Sequence, residues 1–397
     1  MKGVETAKPT YIGTDGNLSA PGNWFDGNVP TDGKGEAQIF CSSATTLTVG
    51  DTFSPAKLVI PDGSALVTIG SGTLCVGEVV NRQLLAVGTG ATVVIGDQLT
   101  LAKGESLCDQ NNGTIVVSNL LLKAEDGDRF VTKNQVASAS GVFKFNGVTN
   151  SMTKNWFYFA DKSEATKSMF YIGADGLSFL NASGSAVYSL GRENNGNSTT
   201  IRPWYDDFTI ADSGTGTYGL VFQRSVIFCT DDENDSGRTI TIDAMTRAQK
   251  SSEVTVSGKG RLQINGTCDN SAEPPVTVKD TATLAFGAGA SLGAGKITLG
   301  NDTKLVLTQP AGSNMFAPIA NVVKLPTPGV ATIRIDGARL KTGVHEIASV
   351  DLEAGSSANV KVDKNSSALD GRKATLRVEE GKLILNIVSD GTVIIVR

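Results

Sequence analysis

Residues 258–267, GKGRLQINGT, hold glycines followed by apolar residues in strict alternation. The apolar residues are Leu262 and Ile264, and a period of two predicts a strand with one buried face. The glycines predict a turn in which the backbone needs a positive φ. A phosphate-binding glycine loop would open onto a helix with a period of 3.6 residues, and no such period follows here. The stretch therefore predicts a turn and a strand, and argues against a nucleotide site.

The same pattern recurs along the chain. GSGTLCVG (70–77) and GAGKITLG (293–300) share it, GTGATVVIG (88–96) is one residue longer, and EEGKLILN (379–386) keeps its second half. Short strands separated by Gly, Asn and Asp turns predict an all-β fold. Self-similarity along the chain predicts a parallel β-helix, a β-solenoid with one coil per repeat. In that fold Leu74, Leu262 and Ile297 point inward and their strands pair in parallel; β-sandwich domains are the alternative.

Composition and charge limit the classes of protein to which this chain can belong. The chain has 397 residues, of which 40% are apolar, so it can bury a core. A formal net charge of −5 provides no basic surface for nucleic acid or for an anionic membrane. No apolar run is long enough for a spanning helix, and the start MKGVETAKPTYIGTDG has no apolar segment of a secretory signal. We therefore expect no nucleic-acid partner and no direct membrane insertion.

The five cysteines are an odd number without a C-x-x-C pair, which argues against a zinc site or a complete disulfide framework. We expect them to be small buried apolar residues. The spacing of Cys41, Cys75 and Cys108 is compatible with stacked positions in a repeat.

The middle of the chain, residues 128–235, is rich in aromatic residues, as in NWFYF (155–159) and RPWYDDF (202–208). One interpretation is wider coils whose interior needs larger side chains, because stacked aromatic pairs stabilise a core. The other is a groove in which sugar rings stack on Trp156, Trp204 and Tyr205. Both remain open at this point.

Three segments resemble the passenger-like β-helix proteins of bacterial surfaces that carry autotransporter-associated β-strand repeats. They are DGNLSAPGNWFDGNVPTDGKGEAQIF (15–40), the repeat at 256–293, and KTGVHEIASVDL with RKATLRVEEGKLILNIV within 341–388. The resemblance implies a right-handed parallel β-helix, export, and display at or release from a bacterial surface. It also suggests an N-terminal cap at 1–40, a β-helix at 41–329, and C-terminal coils with a closing segment at 330–397.

Candidate catalytic and metal-binding residues are few. His345, the single histidine, lies in a predicted strand, where we expect it to be exposed or half-buried. The segment DENDSGRTITID (232–243) has the spacing of a calcium loop from Asp232 to Asp243. Its flanks read as strands and its last ligand position is Asp instead of Glu, so a plain acidic turn is the competing interpretation.

Carboxylate pairs that could cleave a glycosidic bond are Asp206 with Asp207 and the cluster 231–235. Adjacent strand residues point to opposite faces, which argues against the first pair. We therefore expect no catalytic residue, no metal and no cofactor. The predicted function is a non-enzymatic, extracellular or cell-surface scaffold, stalk or adhesin with surface or host glycans as partners. The alternative is a polysaccharide-active enzyme or a carbohydrate-binding module that uses Trp156, Trp204 and Tyr205.

Overall fold

The computed structural model shows an all-β chain with long sheets of parallel strands, as in a β-solenoid. It forms two compact units, Met1–Trp204 with Ser213–Thr217 (unit 1) and Tyr205–Asp212 with Tyr218–Arg397 (unit 2). The structure describes residues 9–389 except 32, 34, 51–52, 62–63, 66, 82–84, 89, 102–106, 111–112, 123–129, 134–141, 151–155, 162–167, 180–186, 191–197, 213, 215–218, 224, 250–251, 270–272, 294 and 352–358.

Unit 1 alternates strands between two sheets. The first sheet contains β1 (Thr10–Tyr11), β2 (Glu36–Ile39), β4 (Lys57–Ile60), β6 (Thr73–Asn81), β8 (Thr92–Leu101), β10 (Thr114–Leu122), β12 (Val142–Asn150), β14 (Ser168–Phe179) and β16 (Thr199–Pro203). The second contains β3 (Thr45–Thr48), β5 (Val67–Ser71), β7 (Leu85–Val87), β9 (Leu107–Gln110), β11 (Phe130–Lys133), β13 (Trp156–Asp161) and β15 (Val187–Leu190). A short 3₁₀ helix spans Pro21–Asn23.

Within unit 1, successive strands of each sheet pair in parallel, as β6 does with β8 and β8 with β10. The long strands change register in the middle, between Val76 and Glu78 in β6 and between Val117 and Asn119 in β10. A bulge of this kind bends the strand. Each long strand is thus divided at its bulge into two halves, and each half pairs with the corresponding half on the next coil. The strands of the second sheet form a third ladder.

Side chains stack in register inside unit 1. One column of buried residues runs through Val93, Ile115, Phe143, Phe170 and Ile201 on successive coils. The rings of Phe143 and Phe170 are stacked, with centroids 5.1 Å apart. These aromatic residues of the middle segment thus fill the interior of coils, as the first of the two sequence interpretations expects.

The N-terminal segment packs around Trp24, which is buried. Its ring stacks on Phe53 at 5.4 Å and meets the edge of Tyr11 at 5.8 Å, and its Nε1 donates to the carbonyl oxygen of Leu18 at 2.9 Å. Tyr11 also forms an isolated antiparallel bridge with Trp24. The following residue, Phe25, is exposed.

Unit 2 continues the parallel pattern. Its strands are β17 (Phe208–Ile210), β18 (Leu220–Phe222), β19 (Ser225–Cys229), β20 (Thr239–Ile242), β21 (Thr246–Ala248), β22 (Glu253–Ser257), β23 (Arg261–Ile264), β24 (Cys268–Asp269), β25 (Val276–Val278), β26 (Thr283–Phe286), β27 (Ile297–Leu299), β28 (Lys304–Gln309), β29 (Val322–Lys324), β30 (Ala331–Gly337), β31 (Gly343–Val350), β32 (Val360–Val362), β33 (Ala374–Glu379) and β34 (Lys382–Ile387). A 3₁₀ helix at Ser367–Leu369 precedes β33.

Residues 258–267 fold as their sequence predicts. Strand β23 pairs in parallel with β20 and with β26, which places Leu262 between Ile240 and Leu284. Leu74, Leu262 and Ile297 are all fully buried. The prediction of inward-pointing residues on parallel strands is confirmed, and this pairing differs from the antiparallel sheets of a β-sandwich.

The segment EEGKLILN at 379–386 is an exception to the coil pattern. It is a hairpin in which β34 pairs antiparallel with β33 on one side and with β31 on the other. Glu380 and Gly381 both have positive φ (48° and 73°), as a two-residue type I′ turn requires. The expectation that this segment repeats the coil motif was wrong, because its short turn reverses the chain direction.

The expectation that the cysteines are buried holds for Cys41 and Cys268, but it fails for Cys75, and the expected stacking of cysteines fails as well. Cys75 is exposed instead of buried. Cys75 lies in β6 beside Val94, whereas the backbone of Cys108 lies in β9 beside Leu85, in the other sheet. The coils here are 19 residues long from Thr73 to Thr92 and 22 residues long from Thr92 to Thr114, so a spacing of 33 residues does not place Cys75 and Cys108 in one column.

Candidate functional site

The turn before β23 was the candidate for a phosphate cradle, and its amide groups are already bonded. The N–H of Gly258 donates to Asp280 Oδ2 at 3.1 Å, that of Lys259 to Asp231 Oδ1 at 2.8 Å, and that of Gly260 to Thr230 Oγ1 at 2.9 Å. Side-chain oxygens from the neighbouring coils thus stand where phosphate oxygens would stand in a nucleotide loop. The arrangement ties consecutive coils together.

The structure explains why positions 258 and 260 of this turn are both glycine. Gly258 has φ +97°, a conformation that L side chains rarely adopt. A Cβ on Gly260 would clash with the backbone of Arg238 on the preceding coil. The glycine signature therefore follows from the close approach of two coils.

Asp232 anchors the adjacent acidic turn. Its Oδ1 accepts hydrogen bonds from the N–H groups of Asn234 (2.8 Å) and Ser236 (2.9 Å), and its Oδ2 accepts one from Arg238 Nε (2.7 Å). The residue is fully buried. Burial acts to raise the pKa of the Asp232 carboxyl, but the hydrogen bonds from Ser236, Arg238 and Asn234 outweigh it and hold the pKa below its ordinary value.

This geometry favours the acidic turn over the calcium loop. Residues 239–242 form β20, so the second half of the segment is extended and does not wrap around a central point. Asp243, the last ligand position of the calcium spacing, accepts a hydrogen bond from Asn265 Nδ2 at 2.8 Å. Within the described ranges, no group of three or more His, Cys, Asp or Glu side chains is placed to hold a metal ion.

Three of the carboxylates considered for glycan cleavage interact electrostatically with Arg238. The negative charges of Asp232, Asp206 and Asp207 all raise the pKa of the Arg238 guanidinium, and the hydrogen bond to Asp232 has the largest effect. Asp207 Oδ1 accepts a hydrogen bond from the N–H of Thr239 at 2.7 Å. Asp207, Asp231 and Asp232 thus each accept a backbone hydrogen bond that holds a turn or strand end.

His345 is buried, contrary to the expectation of an exposed or half-buried strand histidine. Its Nδ1 accepts a hydrogen bond from the N–H of Phe316 at 3.4 Å, and its Nε2 lies 2.8 Å from the carbonyl oxygen of Lys341. An N–H donor at Nδ1 and a carbonyl at Nε2 imply the tautomer with the proton on Nε2. The imidazole therefore holds the segment after β28 against β31.

Of the three residues predicted to bind glycan, Trp204 and Tyr205 are consecutive in the chain and Trp156 belongs to another strand. Trp204 is half-buried at the end of β16 in unit 1, and its N–H donates to the carbonyl oxygen of Ile172 at 2.7 Å. Tyr205 belongs to unit 2 and is 45% exposed. The backbone of Trp156 lies in β13 of the second sheet, and its side chain lies outside the described residues.

Trp204 has neighbours that sequence reasoning missed. Lys144 Nζ lies 5.9 Å from the centroid of the Trp204 ring and 5.4 Å from that of Tyr171. The guanidinium carbon of Arg202 lies 5.4 Å from the Tyr171 centroid. Lys144, Tyr171 and Arg202 are in register on β12, β14 and β16. We call these three residues with Trp204 the cation–aromatic cluster.

The sequence holds no local signal for this cluster, because its members lie on three coils of unequal length. Only the register of the ladders brings them together. Their chemistry combines flat apolar rings with two positive charges, and cations over aromatic faces are attracted by the ring quadrupole. Such a surface can contact an apolar sugar face and an anionic substituent together.

Comparisons with protein-family models, with curated proteins and with solved structures found no match for this chain. Among the residues that the structure describes, no helix is both long and apolar enough to span a bilayer.

Proposed function

We propose that this chain is a non-enzymatic scaffold, stalk or adhesin of a bacterial surface. In this proposal it is a right-handed parallel β-helix that is exported and closed by an N-terminal cap at residues 1–40. The resemblance of three segments to passenger-like β-helix proteins motivates the location, and the parallel ladders of both units are compatible with it.

One observation carries the non-enzymatic part of the proposal. Asp231 accepts a hydrogen bond from the N–H of Lys259, and Asp232 accepts hydrogen bonds from Ser236 and Arg238, so both carboxylates serve the local structure. A general acid or base needs a group within hydrogen-bond reach of a substrate proton and a pKa near the working pH. Asp232 is buried, and its pKa lies below the ordinary value, which suits a structural anchor better than proton transfer.

A polysaccharide-degradation screen of the purified chain tests this part. We expect no release of reducing ends or unsaturated sugars from neutral or acidic polysaccharides. Turnover that disappears in Asp207→Asn, with the fold intact by circular dichroism, would overturn the proposal. Asp212→Asn is the matched control, because Asp212 is an exposed aspartate of the same unit.

A second candidate function, carbohydrate binding, is supported by the cation–aromatic cluster. Trp204 is half-buried, Lys144 supplies positive charge over its ring, and Arg202 supplies positive charge over the ring of Tyr171. We expect this cluster to favour glycans that carry carboxylate or sulfate groups, since charge-assisted contacts add to stacking.

A glycan array with neutral and acidic oligosaccharides tests the second candidate. We expect signal for acidic glycans, reduced about tenfold or more in Trp204→Ala, as for a central aromatic contact residue. Phe25→Ala is the control, because Phe25 is an exposed aromatic residue far from the cluster in sequence. Equal binding by both variants, or binding that does not depend on acidic groups, would count against the cluster as the site.

A further inference from the structure

A row of alternating cations and hydroxyl groups crosses five strands of unit 2. It lies near the starts of β23, β26, β28, β30 and β32, where the parallel register places one residue of each strand beside the next. The members are, in order, Arg261, Thr283, Lys304, Thr332 and Lys361. We call these five residues the cationic row.

The cationic row faces outward. Each member has a buried neighbour on its own strand, and these neighbours are Leu262, Leu284, Leu305, Ile333 and Val360. Successive residues of a strand point to opposite faces of the sheet, so the side chains of the row point away from the core. Four of them are half-buried, and Lys361 at the end of the row is exposed.

The register also sets the spacing of the charges. Neighbouring strands of a sheet lie about 4.8 Å apart. The three cations occupy every second strand, so their backbones are about 10 Å apart along the row. Thr283 and Thr332 lie between them, and each threonine hydroxyl can donate and accept a hydrogen bond.

The two ends of the row carry positive charge that no carboxylate pairs. Arg261 Nε donates to the neutral Gln263 Oε1 at 3.0 Å, and within the described part of the chain neither Arg261 nor Lys361 bonds to an acidic side chain. Only the central cation has such a partner, since Lys304 Nζ donates to Asp363 Oδ2 at 3.0 Å. The row is thus a local positive surface on a chain with a formal net charge of −5.

We propose that the cationic row binds a linear acidic polysaccharide in which sugars with a carboxylate alternate with neutral sugars. The carboxylates lie opposite Arg261, Lys304 and Lys361, and the planar guanidinium of Arg261 matches the geometry of a carboxylate. The neutral sugars lie opposite Thr283 and Thr332 and exchange hydrogen bonds with their hydroxyl groups. The row belongs to unit 2, so this binding does not depend on the cation–aromatic cluster of unit 1.

Charge spacing favours this polymer over a nucleic acid. Each strand of a DNA duplex carries one phosphate per about 3.4 Å of axis, which is much closer than the cations of the row. The phosphates between those that meet a cation would lie near the threonines and near the carboxylate of Asp363. Like charges brought together across an interface are unfavourable, so a more widely spaced anion fits the row better.

Calorimetric titration with oligosaccharides of alternating glucuronate and N-acetylglucosamine tests this inference. The full chain carries Trp204→Ala, so that the cation–aromatic cluster does not contribute. The hexasaccharide has three carboxylates and reaches all three cations, whereas the tetrasaccharide has two. We expect the hexasaccharide to bind about tenfold more tightly, the effect of one added hydrogen bond between charged groups.

Removing the exposed end of the row should abolish this dependence on length. With Lys361→Gln, the affinity of the hexasaccharide should fall to that of the tetrasaccharide, because the third carboxylate has lost its partner. Lys341→Gln is the matched control and should change neither affinity, since Lys341 is an exposed lysine that follows the opposite end of β30. Circular dichroism checks the fold of both variants.

Three results would overturn the inference: no binding of the hexasaccharide, equal affinities of the two oligosaccharides, or a length dependence that survives Lys361→Gln in a folded chain. Tighter binding of a thymidine hexanucleotide than of the hexasaccharide would also overturn it, since the row would then respond to charge alone. None of these results bears on glycan binding by the cation–aromatic cluster, which is tested by comparing the wild-type chain with Trp204→Ala.

Discussion

Arg238 Nε donates to Asp232 Oδ2 at 2.7 Å, and the two side chains differ in exposure: that of Asp232 is fully buried and that of Arg238 is 35% exposed. The carboxylate is therefore desolvated while the guanidinium keeps part of its hydration. The same carboxylate accepts hydrogen bonds from the N–H groups of Asn234 and Ser236. A single acidic side chain thus organises the turn between β19 and β20.

Replacing Asp232 by Asn should destabilise the protein by about 2 kcal/mol. Hydrogen bonds to a charged group contribute about 1.5–3 kcal/mol, and Arg238 can recover water because it is partly exposed. Urea denaturation followed by circular dichroism measures the change. Asp212→Asn, at an exposed position of the same unit, should change the free energy of unfolding by less than about 0.5 kcal/mol.

The stability supplied by Asp232 should depend on pH. Its pKa is lowered in the folded chain, so the contribution is fully present above the ordinary value of 3.8 and is lost as the pH falls through the lower folded value. The difference in unfolding free energy between wild type and Asp232→Asn should therefore shrink on acidification from about pH 5 to about pH 3. A difference that stays constant over this range would show that the charge of Asp232 is not what stabilises the turn.

Leu262→Ala should cost about 2–5 kcal/mol, the usual range for removing a buried leucine side chain. Leu262 lies between Ile240 and Leu284 of the adjacent coils. Removing most of its side chain should therefore leave a cavity between these coils. The control is Thr277→Ala on β25 of the same unit, where the side chain is exposed and the effect should stay near zero. Equal effects of the two changes on the urea midpoint would contradict the inward orientation of Leu262.

Trp24→Ala should destabilise the N-terminal segment by about 3–5 kcal/mol, because the ring is buried against Phe53 and Tyr11. If this segment caps the coils, its loosening should expose a strand edge that recruits other chains. Multi-angle light scattering should then detect oligomers or aggregates of Trp24→Ala. The neighbouring Phe25→Ala should remain like the wild type, since Phe25 is 73% exposed. A Trp24→Ala chain of unchanged mass and stability would rule out the capping role.

The alternation of apolar residues and the glycines of the opening stretch were enough to predict a strand, its buried face and the turn before it. This information is local, because successive side chains of a strand point to opposite faces of the sheet. The parallel pairing of β23 also follows from repetition, because similar coils bury their apolar faces by stacking on one another.

Other features depended on contacts between distant parts of the chain. EEGKLILN resembles a coil motif in sequence, yet the positive φ angles of Glu380 and Gly381 turn it into a hairpin. His345 is buried because the segment after β28 folds over it, and the sequence around His345 holds no trace of that partner.

The same distinction applies to the candidate sites. Sequence alone singled out Trp204, but its neighbour Lys144 reaches it only through the register of coils whose lengths differ. The cationic row of unit 2 likewise exists only because the register of five strands aligns its members. Periodicity along one chain determines which face of a strand is buried. Register, loop closure and the pairing of polar atoms across coils determine which side chains meet, and these were decided by the tertiary structure.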